Sequence, residues 1–111
     1  GDAKAMNMFL PPAGSDKQGL LIDFASSGVG FGMTDVAMLL AHSVSPDVLD
    51  HGGEQRLIDA YLSALAAARG GRGPEFGRER ALRQYRLGVV DYGRFMVSRF
   101  WGDASAASFA G

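Results

Sequence analysis

The chain has 111 residues, 47% of them hydrophobic and 21% charged, with a net charge of -1. That is one ordinary globular domain, too apolar for a disordered segment and too evenly charged to advertise a polyanion, so no nucleic-acid partner is expected. No window approaches the roughly 18 uncharged apolar residues that a membrane-spanning helix needs, which argues against a membrane partner. The lack of cysteine excludes disulfides and thiolate metal sites and leaves the redox compartment open. The first residues show neither a basic n-region nor an apolar h-region, so no signal peptide is read there and a cytoplasmic location is expected.

Residues 8–10 and 19–24 are short apolar runs on either side of the turn-forming stretch PPAGSDK, which predicts a β-hairpin. Beyond Gly32 the pattern is helical. Thr34 or Asp35 is placed to cap a helix through residues 36–40, which should stop before Ser45-Pro46 because the residue preceding proline avoids the α region. A second helix starts near Gly53, with Leu57, Ile58, Tyr61, Leu62 and Leu65 on one face, and ends at Arg69-Gly70-Gly71. Residues 70–77 form a loop. A long third helix covers residues 78–101, with Leu82, Tyr85, Val89, Tyr92 and Met96 on a stripe at spacings of three and four. The remaining GDASAASFAG is small and polar and is expected to fray.

The start of the chain, GDAKAMN, carries the chemistry. Phosphoryl transfer to an alcohol requires a carboxylate that can accept the hydroxyl proton and oxygen ligands for the magnesium that neutralises the phosphates. Kinase catalytic loops supply these as an Asp, four residues and an Asn, followed by a hairpin whose second strand ends in a metal-binding Asp. Asp2 and Asn7 have that spacing, and Asp23 ends the second predicted strand in LLIDF. Mg²⁺ takes hard oxygen ligands and keeps several waters, so one carboxylate and one amide oxygen suffice as the protein's share.

From these residues through GVGFGMTDVAMLL the chain resembles the aminoglycoside phosphotransferase and choline kinase-like superfamily, in particular its ecdysteroid kinase-like branch. The matching motifs are Gly1-Asp2 to Asn7, Ile22-Asp23-Phe24 and Asp35-Val36-Ala37, and the later EQRLIDAYLSAL and YRLGVVDYGRF resemble that branch's closing helices. The resemblance implies an α+β, mostly helical fold: the C-terminal lobe of a protein kinase-like enzyme, in which a catalytic loop and β-hairpin precede about three helices. Residues 1–32 would hold the catalytic loop, metal-binding hairpin and glycine-rich loop, residues 33–101 the helical subdomain, and residues 102–111 a tail. The family's motif His would precede Gly1, and the N-terminal lobe of the same protein, which would hold the adenine, is expected outside these residues, as in a chain cut at its start.

By the same resemblance, Asp2 is the catalytic base, Lys4 steadies the transferred phosphate, Asn7 and Asp23 bind magnesium on ATP, and Asp35 supports the catalytic loop by accepting its N–H groups. The cofactors are then ATP and Mg²⁺, and the partner is a small molecule with a hydroxyl group, whose identity the motifs leave open. Plainer roles exist for each: a solvated carboxylate for Asp2, a turn residue for Asn7, a loop cap for Asp23, a surface cation for Lys4 and a first-turn acid for Asp35. If the acids are only structural, the alternative is a non-catalytic helical interaction module or a pseudokinase-like remnant. The run Gly28-Val29-Gly30-Phe31-Gly32 does not make a dinucleotide fingerprint, because Met33 occupies the last small-residue position and no later strand follows. His42 and His51 receive no role, since no third ligand accompanies them. The aromatic residues Tyr85, Tyr92, Phe95 and Phe100 are read as core, and Arg78, Arg80, Arg83 and Arg86 as a solvated face.

Overall fold

The computed structural model describes residues 1–99 and 101–102. Phe100 and the fraying expected of residues 103–111 lie outside the described residues. The chain starts with an extended stretch and a single 3-10 turn, Ala5–Asn7, and continues into β1 (Met8–Phe9). β2 (Leu20–Leu21) returns antiparallel, pairing Met8 with Leu21 and Phe9 with Leu20. The predicted hairpin is therefore present, but its strands are two residues long. Proline at 11 and 12 ends the first strand, while apolar residues in and beside both strands lie open to solvent: Leu10, Leu20, Ile22 and Phe24 are all exposed.

Four helices follow: α1 (Gly32–Ser43), α2 (Pro46–Leu49), α3 (Gly53–Arg69) and α4 (Arg78–Arg99). Sequence reasoning anticipated three. It took Ser45-Pro46 only as a stop, whereas proline also starts helices, its fixed φ and missing N–H costing nothing at the first position. Pro46, with Asp47 beside it, accordingly opens the one-turn α2. The expected capping of α1 is also corrected. The helix begins at Gly32, the preceding Phe31 makes no side-chain cap, and Thr34 sits inside the first turn with its hydroxyl donating to the Phe31 carbonyl at 2.7 Å. Asp35 is left free to act elsewhere. α3 ends as expected, with Gly70 in the left-handed conformation and its N–H on the Ala66 and Ala67 carbonyls.

The core forms where α1, α3 and α4 meet. Met33 and Ile58 are its largest fully buried side chains, joined by Val36, Ala37, Leu40, Ala81 and Tyr85. α1 and α4 approach closely because α4 presents Gly88 to α1. A Cβ there would meet the Ala37 Cβ and the Thr34 Cα at 3.1 Å. The stripe predicted on α4 therefore turns slightly. Ala81, Tyr85 and Gly88 are buried, Tyr92 and Met96 half-buried, and Val89 and Phe95 exposed. The Tyr85 hydroxyl donates to Glu54 Oε1 at 2.6 Å and ties α4 to the first turn of α3. Arg78 grips Asp59 through Nε and Nη2 at 2.7 and 3.3 Å, fixing the start of α4 against the middle of α3. Among the described residues no helix is long and apolar enough to cross a membrane.

Candidate functional site

The loop before β1 is held by its own side chains and by α1. Asn7 is buried, 8% exposed, and its amide nitrogen donates to the Asp2 main-chain oxygen at 2.9 Å and to Asp2 Oδ2 at 3.1 Å. Lys4 Nζ lies 2.8 Å from the same Oδ2. This ammonium, through its hydrogen bond, is the main cause that holds the Asp2 carboxyl below its ordinary value, against the opposing effect of desolvation; Asn7 and the field of His42 add to the lowering. The Lys4 and Asn7 contacts thus favour the ionised form of Asp2.

The hairpin brings the second acid to the same place. The Ile22 N–H donates to the Asn7 carbonyl at 3.0 Å, so the residue after Ile22 emerges beside Asn7. That residue, Asp23, has φ of 61°. A side chain in the left-handed region is uncommon, though Asp tolerates it better than most, and such backbone geometry gathers at functional positions. Asn7 and Asp23 line one cavity of about 320 Å³ with Asp2 and Asp35. The Asn7 amide nitrogen is occupied by Asp2, and its Oδ1 accepts no hydrogen bond among the described residues. One free amide oxygen and one carboxylate fit a hard, partly hydrated cation such as Mg²⁺. Among the described residues no cluster of three or more His, Cys, Asp or Glu could hold a metal, so a structural zinc-type centre does not suit this donor set.

A second, larger cavity of about 690 Å³ is lined by the loop, α1 and α4 and shares Gly1, Asp2 and Asp35 with the first. Its walls include Lys4, His42, Tyr92 and Met96. Asp2 borders both cavities; Lys4 borders only the larger and Asn7 and Asp23 only the smaller. Asp35 receives a hydrogen bond from the Gly1 nitrogen at 2.5 Å. Its carboxylate is 46% exposed and is not a buried acceptor.

Two residues of the site went unseen in the sequence. His42 was given no role, yet it borders the larger cavity with Asp2 and Lys4. Ser43 was not singled out at all, and its Oγ accepts the Ala5 N–H at 2.7 Å. Their signal was helical: positions seven apart return to one face, so His42 lies on the side of α1 that Asp35 turns to the loop. Tyr92, read as core, and Met96, read as part of the apolar stripe, also border this cavity. The chain matches no family model, and neither a curated relative nor a similar solved structure was found.

Proposed function

We propose that the chain is the catalytic-loop half of an ATP-dependent phosphotransferase that acts on the hydroxyl group of a small molecule. The observation that carries this reading is the position of Asp2 on the wall shared by two cavities, one bordered by the oxygen donors Asn7 and Asp23 and the other by Lys4 and a mixed stretch of α4 that includes Asp91, Tyr92, Arg94 and Met96. In-line transfer needs this separation, with phosphates and metal on one side of the base and the alcohol on the other. Asp2 accepts a hydrogen bond from the acceptor hydroxyl and takes its proton as the oxygen bonds the γ-phosphorus and ADP leaves. Lys4, held at Asp2, offers its ammonium to the transferred phosphoryl group. Asn7 Oδ1 and the Asp23 carboxylate are the groups that would hold magnesium. Mg²⁺, when bound, neutralises phosphate charge. The adenine and the outer face of the phosphates would be covered by a second lobe beyond these residues, closing on the exposed apolar side chains of the hairpin.

Titrating the 111-residue chain with Mg²⁺·ATP while following backbone amides by NMR tests the reading. Perturbations at Asn7, Ile22 and Asp23 that vanish in Asp23→Asn are expected. Saturation with no response at these positions would sink the assignment.

One observation favours a second reading, a non-catalytic interaction module. The outer face of α4 exposes Leu87, Val90 and Val97 among Arg83, Arg86 and Arg94, more apolar surface than a solvated helix face requires. In that case Mg²⁺·ATP would leave the loop untouched.

A further inference from the structure

The inward side of α4 buries Ala81, Tyr85 and Gly88, and its outward side carries a pattern of its own. Leu87, Val90 and Val97 are 63%, 70% and 53% exposed there. Together with Arg83 they stand at successive separations of four, three and seven residues. That is a repeat of about 3.5 residues per turn, at which a row stays on one side of a helix and meets a second helix along its length. Arg83 precedes Leu87 by one turn, and Arg86 precedes Val90 by one turn. Helical side chains lean toward the N-terminus, so each apolar residue inclines toward the arginine before it, whose methylene stem extends the apolar surface.

The charge at this end of the row is unanswered within the chain. Among the described residues Arg80, Arg83 and Arg86 form no ion pair, and Arg80 instead lies 6.0 Å from the centre of the Phe76 ring. Of the acids nearby, Asp59 is held by Arg78 and Asp91 by Arg94. Glu79 alone borders the same depression as the three arginines and Leu87, which leaves a surplus of positive charge beside the apolar row. Arg83, Arg86, Leu87, Val90 and Val97 border neither cavity beside Asp2, so the row is separate from the proposed transfer site.

We infer that this row of α4 docks an acidic amphipathic helix of a partner protein, with the partner's apolar stripe along Leu87, Val90 and Val97 and its carboxylates on Arg83 and Arg86. Charge selects the occupant. A second copy of α4 offers as acids only Glu79 and the already paired Asp91, and it would set arginine against arginine along the seam. From Arg83 to Val97 the row rises about 21 Å, the length of a four-turn helix. The inference deepens the interaction-module reading and is independent of the phosphotransferase one.

The test titrates the 111-residue chain with a synthetic peptide of about sixteen residues, leucine at spacings of three and four and glutamate on the flanking positions. A control peptide has lysine in place of every glutamate. Backbone amides followed by NMR should shift along residues 83–97, and the control should bind at least about tenfold more weakly at low salt. Arg83→Glu combined with Arg86→Glu should reverse that preference. Leu87→Asn combined with Val90→Asn should weaken the glutamate peptide about tenfold, because the apolar contact is lost. In both variants the amides of Ile58 and Tyr85 should keep their exchange protection, which shows the fold intact. Equal affinity for the two peptides, no binding, or shifts confined to other elements overturns the inference. So does a concentration-dependent dimer that the Leu87 and Val90 substitutions dissolve, which would give the row to a second copy. Binding of heparin that shifts the arginines as strongly and ignores the Leu87 and Val90 substitutions would reduce the row to simple attraction for polyanions and overturn it as well. The Mg²⁺·ATP titration reads Asn7 and Asp23, so failure of the transfer reading and failure of the docking row show at different residues.

Discussion

At Asp2 the proposed chemistry and the local structure can be separated by a single atom. Asp2→Asn keeps the side chain's shape and the acceptor for the Asn7 amide but removes the proton-accepting carboxylate. In the proposed two-lobed enzyme, kcat should fall by at least about a hundredfold with KM for ATP and the melting temperature little changed, measured by coupled ATP consumption and thermal denaturation. Near-normal turnover would return Asp2 to the role of a solvated acid. Asp35→Ala differs, because its half-exposed carboxylate borders both cavities. It should cost about 1 kcal/mol or less in stability, with a larger effect on turnover than on melting. Asp2, Asn7 and Asp23 were legible in the sequence because their relation is a matter of local spacing and one hairpin. His42 and Ser43 were not, since the group that gives Ser43 its role lies 38 positions away, and helical periodicity alone does not say which neighbour a face will meet.

The elements were read well where side-chain pattern and chain punctuation agree, as at the Gly70 end of α3, and poorly where one residue type carries two messages, as at Pro46. The burial of α4 was shifted because a hydrophobic stripe omits glycine, and Gly88 is the point of closest approach to α1. Gly88→Ala should destabilise the chain by about 1 to 3 kcal/mol, seen as a lower denaturant midpoint with an unchanged slope, because backbone and the Ala37 methyl group stand in the way. Tyr85→Phe should cost a similar amount, leaving Glu54 without its donor on α4. Acid acts on the link between α3 and the start of α4. The Arg78 guanidinium, chiefly by hydrogen bonding, holds the Asp59 carboxyl below its ordinary value of 3.8. The folded pKa lies below the unfolded one, so the stabilisation is complete above about pH 4 and is lost as pH falls through the folded value. Thermal melts between pH 6 and pH 2.5 should lose this component in Asp59→Asn, which is already uncharged.

For the whole molecule, the smaller cavity beside Asp2 is bordered by the hairpin residues Met8, Leu21, Ile22 and Phe24, and around it Phe9, Leu20 and Phe24 are exposed. If the proposed reading holds, half a cleft cannot hold ATP in line with an acceptor, so these 111 residues alone should show no measurable phosphoryl transfer, whereas the same loop joined to the proposed nucleotide lobe should consume ATP with an alcohol present. Robust turnover by the short chain would refute the two-lobe reading. The left-handed backbone at Asp23 sets a further condition on the molecule's history. Glycine adopts that conformation without penalty and asparagine adopts it readily, so aspartate is there at some expense to the fold. A library randomised at this position and sorted only for heat resistance should drift toward glycine or asparagine, and its hardiest members should be the ones that lack the carboxylate proposed to hold magnesium. Aspartate at position 23 would then be a residue that selection for durability alone discards.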